Sequence, residues 1–247
     1  MFMDANAGNP LLDYFIANSN RKIHKWLGYF DVYHRVLAPY RGRPIKFLEI
    51  GIQNGGSAHM WRNYLGTQAT VVGVDIDPQC RSLEAEGFEV WIGDQADPAF
   101  WQQLLEKHPS FDVVLDDGGH TMQQQIVTFN ALFPALRNGG LFICEDTHTS
   151  YFPAHGGGLK RAGTFHEFVK ELIDQQHAWY HQPLAELNQG GYLARHLYAL
   201  SVYESIVVME KRLKNPPLAL VRGGEGHVAM PQTGSYIDLR RAFGVPD

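Results

Sequence analysis

The chain has 247 residues, of which 45% are hydrophobic and 19% are charged, and its formal net charge at pH 7 is −5. These values are typical of a globular protein with a full core, and no long run of Lys or Arg indicates nucleic acid as a partner. No apolar run is long enough to cross a membrane, and the first residues do not resemble a secretory signal, so we expect a cytoplasmic protein without membrane contact. Cys80 and Cys144 have no metal-binding or redox spacing, which indicates two reduced thiols.

Residues 1–44 predict two helices that form a cap or lid. The patterns over residues 9–18 and 21–38 are helical, and the second has a broad apolar face. A lid, a dimer surface and a cap packed on the core all agree with this pattern. Within the second helix, His24-Lys25-Trp26 could close over a ligand or could form an ordinary helix face.

From residue 45 onward, short apolar runs alternate with helical patterns. The runs that predict strands are 45–50, 70–74, 88–92, 112–115 and 141–144. The helices between them are predicted over 57–64, 78–86, 97–107 and 122–136. This alternation predicts an α/β fold with a doubly wound parallel sheet.

The pattern changes after the fifth strand. Residues 147–163 are polar, aromatic and glycine-rich, which predicts a mobile loop over the site, and a helix is predicted over 164–176. Two β-rich runs, 196–202 and 205–210, predict a hairpin that adds antiparallel strands at the edge of the sheet. We therefore expect one domain over 45–214, with a loop-like C-terminal tail over 215–247.

The turn after the first strand has the pattern Glu49-x-Gly51-x-x-x-Gly55-Gly56. Glycines at such a turn let a ligand approach the backbone closely, and Ser57 could cap the helix that follows. The spacing is longer than the dinucleotide pattern G-x-G-x-x-G, which disfavours a nicotinamide oxidoreductase. Glu49 would repel a pyrophosphate but attract an ammonium group. The turn therefore favours S-adenosylmethionine, which has an ammonium group and no phosphate, although a plain glycine-rich turn is the alternative.

Acidic residues also follow the second and third strands. Asp75, at the end of the second strand, can accept hydrogen bonds from both hydroxyls of a ribose. Asp77 is better explained as a helix cap. Asp94 and Gln95 follow the third strand and could bracket an adenine, although Asp94 could equally be a capping residue.

Pairs of carboxylates follow the fourth and fifth strands. Residues 111–120 read FDVVLDDGGH, so Asp116, Asp117 and His120 come directly after a buried strand. Glu145 and Asp146 follow the next strand, and His148 comes just after them. Ligands bind at the carboxyl ends of the strands in open α/β sheets, and carboxylates from neighbouring strands can bind one hard cation. Turn-forming Asp/Gly sequences are the alternative explanation.

With these motifs in place, residues 25–211 resemble the class I S-adenosylmethionine-dependent methyltransferases. More narrowly, they resemble the metal-dependent sugar O-methyltransferases of macrolide and other antibiotic pathways, and the related cephalosporin-hydroxylase-like family. The motifs that carry this resemblance are FLEIG with GGS, VDIDP, DDGGH and EDTHTSY. The resemblance implies a Rossmann-like, seven-stranded methyltransferase sheet. It also implies Mg²⁺ held by Asp117, Glu145 and Asp146, with His120 as the general base.

These implied roles agree with the chemistry of a sugar hydroxyl, which is a poor nucleophile at neutral pH. Chelation of two vicinal hydroxyls by Mg²⁺ would lower their pKa, and His120 beside the ligand Asp117 could take the proton. Asp116 could contact the cofactor, complete the metal shell or orient the loop. His148 and Tyr151 could contact the substrate, and both could equally be structural.

We therefore expect an S-adenosylmethionine- and Mg²⁺-dependent O-methyltransferase that methylates a sugar hydroxyl of a glycosylated natural product. Its partner would be a small glycosylated molecule, and we expect a homo-oligomer that binds neither nucleic acid nor membrane. The alternatives are a cephalosporin-hydroxylase-like enzyme on the same scaffold and a non-catalytic protein that binds the cofactor and a partner protein.

Overall fold

The fold is built on one seven-stranded sheet in a computed structural model that describes residues 8–181 and 191–215. The strands are β1 (Lys46–Ile50), β2 (Thr70–Asp75), β3 (Glu89–Ile92), β4 (Phe111–Asp116), β5 (Leu136–Cys144), β6 (Leu197–Val202) and β7 (Val207–Lys211). Their order across the sheet is β3-β2-β1-β4-β5-β7-β6. Strands β1 to β5 are parallel, whereas β7 is antiparallel to both β5 and β6. The predicted doubly wound sheet with a C-terminal antiparallel hairpin is confirmed.

Helices cover both faces of this sheet. They are α1 (Pro10–Ala17), α2 (Leu27–Leu37), α3 (Gly56–Leu65), α4 (Pro98–Lys107), α5 (Met122–Leu132), α6 (Phe165–Gln176) and α7 (Tyr192–His196). Successive side chains of a strand point to opposite faces, so Phe47 packs in the core cluster under α1 to α3, and Leu48 packs in the cluster under α4 to α6. Among the described residues, no helix combines the length and the apolar character that a membrane span requires.

Four predicted elements differ from the structure in their bounds or in their type of helix. The helix predicted over 21–38 begins only at Leu27, and residues 22–26 belong to neither a helix nor a strand. The helix predicted over 122–136 ends at Leu132, because Pro134 lacks the N–H that a continuing helix needs. Strand β5 accordingly starts at Leu136, before the predicted residue 141, and residues 78–86 form a 3₁₀ helix instead of an α-helix.

The segment predicted as a mobile loop, residues 147–163, has regular structure of its own. It contains two 3₁₀ helices, Thr147–Tyr151 and Pro153–His155. The Gly158 N–H donates to the Ser150 carbonyl at 2.8 Å, which ties the segment back on itself. The mobility of this segment stays a prediction. The predicted C-terminal tail, apart from residue 215, lies outside the described residues.

The strand order reverses between β1 and β4, and this is where α/β sheets of this kind bind ligands. Ile50 at the end of β1 is level with Asp116 at the end of β4. The backbone then passes very close to the next turn, since a Cβ on Gly51 would lie 2.0 Å from the Asp117 carbonyl oxygen. Gly51 also has a φ of +85°, so only glycine fits here.

Candidate active site

The ends of β4 and β5 bring the two predicted acid pairs side by side. Asp116 is level with Cys144 in the parallel ladder, so Asp117 and Glu145 follow at the same edge of the sheet. Two residues at this edge, His120 and Asp146, have left-handed backbone conformations with φ of +56° and +52°. Such conformations are uncommon outside glycine and are concentrated at functional sites. With these backbone conformations, the side chains of His120 and Asp146 line the same cavity.

Asp117, His120 and Asp146 form a compact group of metal-binding atoms. One ligand atom from each residue lies within 4.8 Å of the other two. His120 Nε2 is 3.9 Å from Asp117 Oδ1 and 3.5 Å from Asp146 Oδ2. All three side chains are partly exposed to the same cavity. Carboxylate oxygens and an imidazole nitrogen are donors that divalent cations use, so the group can hold such an ion.

Glu145, the third predicted metal ligand, contacts a cation from the protein itself. Its buried carboxylate accepts hydrogen bonds from Lys25 Nζ at 2.9 Å to Oε1 and 2.7 Å to Oε2. Lys25 Nζ also donates to Asp117 Oδ2. Burial, followed by the charge of Asp117, raises the pKa of Glu145, so this carboxylate depends on Lys25 for its charge. The sequence indicated Lys25 only as a residue that could close over a ligand.

His120 has the properties of a neutral base. Burial lowers the pKa of its imidazole below the usual value, and the charges of Asp117 and Asp146 offset this only in part. Its Nδ1 is buried and has no hydrogen-bond partner among the residues that the structure describes. Its Nε2 faces the carboxylates, so this nitrogen is the one placed to take up a proton.

Two cavities open at this edge of the sheet and share Gly51, Gln53 and Asp117 as lining residues. The first has a volume of about 240 Å³ and contains the acid group, together with Lys25 and Ser57. The second has a volume of about 190 Å³ and lies over the ends of β2 and β3. One elongated ligand could therefore extend from the metal-binding group towards β2.

Besides Gly51, three predicted cofactor residues line the second cavity. Asp75 Oδ2 accepts a hydrogen bond from the Gln53 N–H at 2.8 Å, which holds its carboxylate at the end of β2. Asp94 accepts from the Ala96 N–H at 2.8 Å. Gln95 is buried, and its Oε1 accepts from the Gly119 N–H at 2.7 Å, so it ties the turn after β3 to the turn after β4.

Two predicted cofactor residues, Glu49 and Asp116, are buried and line neither cavity. Glu49 Oε1 accepts a hydrogen bond from Trp61 Nε1 at 2.9 Å, and burial raises the pKa of Glu49 to about 7. Asp116 Oδ1 accepts from Gln95 Nε2 at 2.9 Å, and burial raises the pKa of Asp116 to about 7. Both carboxylates thus contact the protein instead of an open cavity.

The capping predictions have mixed outcomes. Asp77 caps the 3₁₀ helix over residues 78–86 by accepting from the Gln79 N–H at 2.9 Å, as predicted. The prediction that Ser57 caps α3 is wrong, because that helix begins one residue earlier with Gly55 as its N-cap in a left-handed conformation. Ser57 instead lines the first cavity.

Aromatic side chains surround the entrance to the first cavity. The ring of His148 stacks on Trp26 with centroids 4.7 Å apart, and its Nδ1 lies 2.5 Å from Ser205 Oγ. Tyr151 is half exposed and packs against His166. His148 and Tyr151, the two predicted substrate residues, do not line the first cavity; His148 lies at its rim against the lining residue Trp26, whereas Tyr151 contacts His166.

Known proteins are similar to this chain in sequence and in fold. Residues 48–147 match the sequence profile of a family described as "Methyltransferase domain". The 8-demethyl-8-(2-methoxy-alpha-L-rhamnosyl)-tetracenomycin-C 3'-O-methyltransferase of Streptomyces olivaceus is 34% identical over 75% of this chain and 50% of its own length. The demethylmacrocin O-methyltransferase of Streptomyces fradiae is 32% identical over 82% of this chain and 52% of its own length.

A solved structure of the MycE methyltransferase of mycinamycin biosynthesis, in complex with Mg and SAH, superposes with a TM-score of 0.66. It is 28% identical, and the match covers 83% of this chain and 54% of MycE. The chain thus spans about half the length of these relatives. The sequence match, the sheet and the superposition agree: residues 48–147 belong to the methyltransferase-domain family, and the chain is similar to the sugar O-methyltransferases of antibiotic pathways.

Proposed function

We propose that this protein is an S-adenosylmethionine- and Mg²⁺-dependent O-methyltransferase that acts on a sugar hydroxyl of a glycosylated natural product. The observation that carries the proposal is the group Asp117, His120 and Asp146 in a cavity that adjoins the cavity at Asp75. The relatives support it, because their names specify O-methylation of glycosylated polyketides, and MycE was solved with Mg and SAH.

The metal would be held by Asp117 and Asp146, with Glu145 as a further ligand if it leaves Lys25. The donor chemistry fits, since carboxylate oxygens that converge within 4.8 Å suit a hard divalent cation. When bound there, Mg²⁺ would lower the pKa of a sugar hydroxyl and hold that hydroxyl in place. His120 Nε2 could be a ligand or a base but not both at once. We assign it to the base because the carboxylates supply the ligands.

The cofactor would extend across both cavities. Asp75 would accept the ribose hydroxyls, and Asp94 and Gln95 would border the adenine in the second cavity. Gly51 and Ser57 would line the methionine portion in the first cavity. Roles for Glu49, Gly55 and Asp116 in cofactor contact stay predictions. The carboxylates of Glu49 and Asp116 are buried and would stabilise the turns that line the cavities.

The acceptor would enter across the rim formed by Trp26 and His148, where aromatic rings are available to pack against a sugar, and Tyr151 stays a predicted further contact. His120 would take the proton of the attacking hydroxyl at Nε2, because Nδ1 is buried. Closure of the cavity around the acceptor would orient its oxygen towards the methyl donor, which is where much of the rate enhancement of such a transfer arises.

We also propose that the protein is a homo-oligomer, which its sedimentation velocity would test.

The test of this function is methyl transfer to O-demethylated macrolide and tetracenomycin glycosides, with the product mass as the readout. We expect a gain of one methyl group that depends on Mg²⁺. His120→Ala should lower kcat at least about a hundredfold, because general-base catalysis supplies that much, while S-adenosylmethionine affinity by calorimetry stays within about twofold.

His177→Ala is the matched control, because His177 is exposed at the end of α6, its ring Nδ1 bonds to the Ile173 carbonyl of that helix, and it does not line either cavity. It should retain full activity. A product that gained oxygen would favour the cephalosporin-hydroxylase-like alternative. If S-adenosylmethionine does not bind in the presence of Mg²⁺, the proposed function is wrong.

A further inference from the structure

Lys25 lies in the centre of the proposed metal site. Its side chain is only 3% exposed, although it belongs to the irregular segment 22–26, which we call the strap. An ammonium group has three hydrogen-bond donors, and here they contact both oxygens of Glu145 and one oxygen of Asp117. Lys25 thus occupies two of the three carboxylates that we propose as metal ligands.

The third of these carboxylates is also bound from the same side. Tyr29, in the first turn of α2 just after the strap, donates its hydroxyl proton to Asp146 Oδ1 at 2.5 Å. Trp26, the last residue of the strap, stacks on His148 at the rim. The strap and the start of α2 therefore contact every proposed metal-binding carboxylate and the rim across which the acceptor would enter.

The path of the strap is built into the fold. A Cβ on Gly56 would lie 2.2 Å from the carbonyl oxygen of Lys22, so glycine at the start of α3 is what lets the strap pass. Just before the strap, Arg21 Nη1 donates to the Asn54 carbonyl at 2.7 Å, and its other nitrogen pairs with Glu86. These contacts anchor the amino end of the strap, whereas Lys25 and Trp26 make the contacts that hold its carboxyl end.

Charge explains why Lys25 is there. Three carboxylates, those of Glu145, Asp117 and Glu49, lie close enough to interact with its charge, and buried carboxylates without a counter-charge are costly. Lys25 supplies one positive charge where a divalent cation would supply two. A cation bound to Asp117 would also lie beside the ammonium group and repel it. Lys25 and a divalent cation are therefore expected to compete for these carboxylates.

We propose that Lys25 is the counter-cation of this site in the metal-free protein, and that a divalent cation displaces it and frees the strap. The inference rests on the proposed function for the presence of the metal. Displacement detaches Lys25 from Glu145, which then becomes available as a ligand. Because binding couplings are reciprocal, a strap that is held down weakens metal binding, and bound metal loosens the strap at the acceptor entrance.

The test is a calorimetric titration of the full chain with Mg²⁺, and separately with Mn²⁺, without cofactor or acceptor. Lys25→Met removes the competing charge and keeps the side-chain length, so it should bind Mg²⁺ on the order of tenfold tighter than the wild type. It should also have a lower Tm in EDTA and recover it when Mg²⁺ is added. Lys25→Arg keeps the charge and should bind Mg²⁺ no more tightly than the wild type.

Lys22→Met is the matched control, because Lys22 lies on the same strap, is exposed and makes no ion pair within the described parts of the chain. Its Mg²⁺ affinity should equal that of the wild type. A second measurement needs no variant: hydrogen exchange of residues 22–26 in the wild type should become faster when Mg²⁺ is added.

Three results would overturn the inference. If Lys25→Met binds Mg²⁺ no more tightly than the wild type, Lys25 does not compete with the metal. If Mg²⁺ slows exchange in the strap, the metal does not release it. Both results leave the proposed function standing, because methyl transfer is measured separately. If neither protein binds Mg²⁺ or Mn²⁺, both the inference and the metal-dependent function fail.

Discussion

The two ends of the parallel sheet carry clusters of charged residues that differ in the balance between carboxylates and cationic partners. At the amino end, Glu89 accepts hydrogen bonds from Lys107 at 2.6 Å and His108 at 2.8 Å, and Lys46 contacts the other nitrogen of His108. Partial burial would raise the pKa of Glu89, but these hydrogen bonds outweigh it and lower the pKa to about 2. The negative charge of this carboxylate is therefore well balanced by its partners.

At the carboxyl end the balance is reversed, because the carboxylates of Glu145, Asp117 and Glu49 share one ammonium group, that of Lys25. Balanced clusters stabilise a fold by modest amounts, whereas an excess of buried acid is unfavourable until another cation arrives. The presence of charged residues alone therefore says little about function, whereas a local imbalance of charge indicates a binding site.

The largest expected effect is on metal binding at the carboxyl end. Asp146→Asn should weaken Mg²⁺ binding by more than about a hundredfold, since even residues behind a metal ligand often contribute tenfold to a hundredfold. Asp112→Asn is the control at the amino end, where Asp112 pairs with Arg137 at 2.9 Å. Calorimetry should show unchanged Mg²⁺ affinity for the control. Equal losses in both variants would mean that the two ends do not differ as described.

The next effect is on folding stability, and it compares two glycines with similar backbones. Gly51→Ala places a methyl group 2.0 Å from the Asp117 carbonyl oxygen at a φ of +85°, and should lower the free energy of unfolding by about 3 kcal/mol. Gly139→Ala, near the start of β5, has a φ of +84° and open space around it, and should cost about 1 kcal/mol. Urea unfolding would measure both, and similar costs would show that the close approach at Gly51 is unimportant.

The smallest effect is the pH dependence of the balanced cluster. The pKa of Glu89 in the folded protein is about 2, below the usual 4.5, so its contribution to stability is present above pH 4.5 and is lost as the pH falls through 2. Glu89→Gln should therefore be less stable than the wild type at pH 7 by up to about 1 kcal/mol, and the difference should shrink as acid is added. A difference that is constant with pH would point to packing instead of charge.

Much of the carboxyl end could be predicted from the sequence, because its acids directly follow apolar strands. Asp117 and Asp146 come together for that reason, and the parallel register fixes their edge of the sheet. The burial of Glu49 could also have been anticipated. Phe47 and Glu49 are two residues apart on β1, so they face the same side, which is the side that α3 covers with Trp61.

The position of Lys25 could not be predicted in the same way. Residues 21–38 have one continuous helical pattern, and local propensity gives no reason for the helix to wait until Leu27. The ion pairs of Lys25 with Glu145 and Asp117 join segments far apart in the chain, and such tertiary contacts override a local preference. The left-handed backbone of His120 is equally a product of its surroundings.

Asp117 borders both cavities, and this shared wall limits how such an enzyme can diversify. In the proposed assignment, a substitution there would disturb the cofactor cavity and the metal-binding group at once. The rim is different, because Trp26 is about half exposed and does not line the second cavity. New acceptor preferences would therefore evolve at the rim while the shared wall is kept.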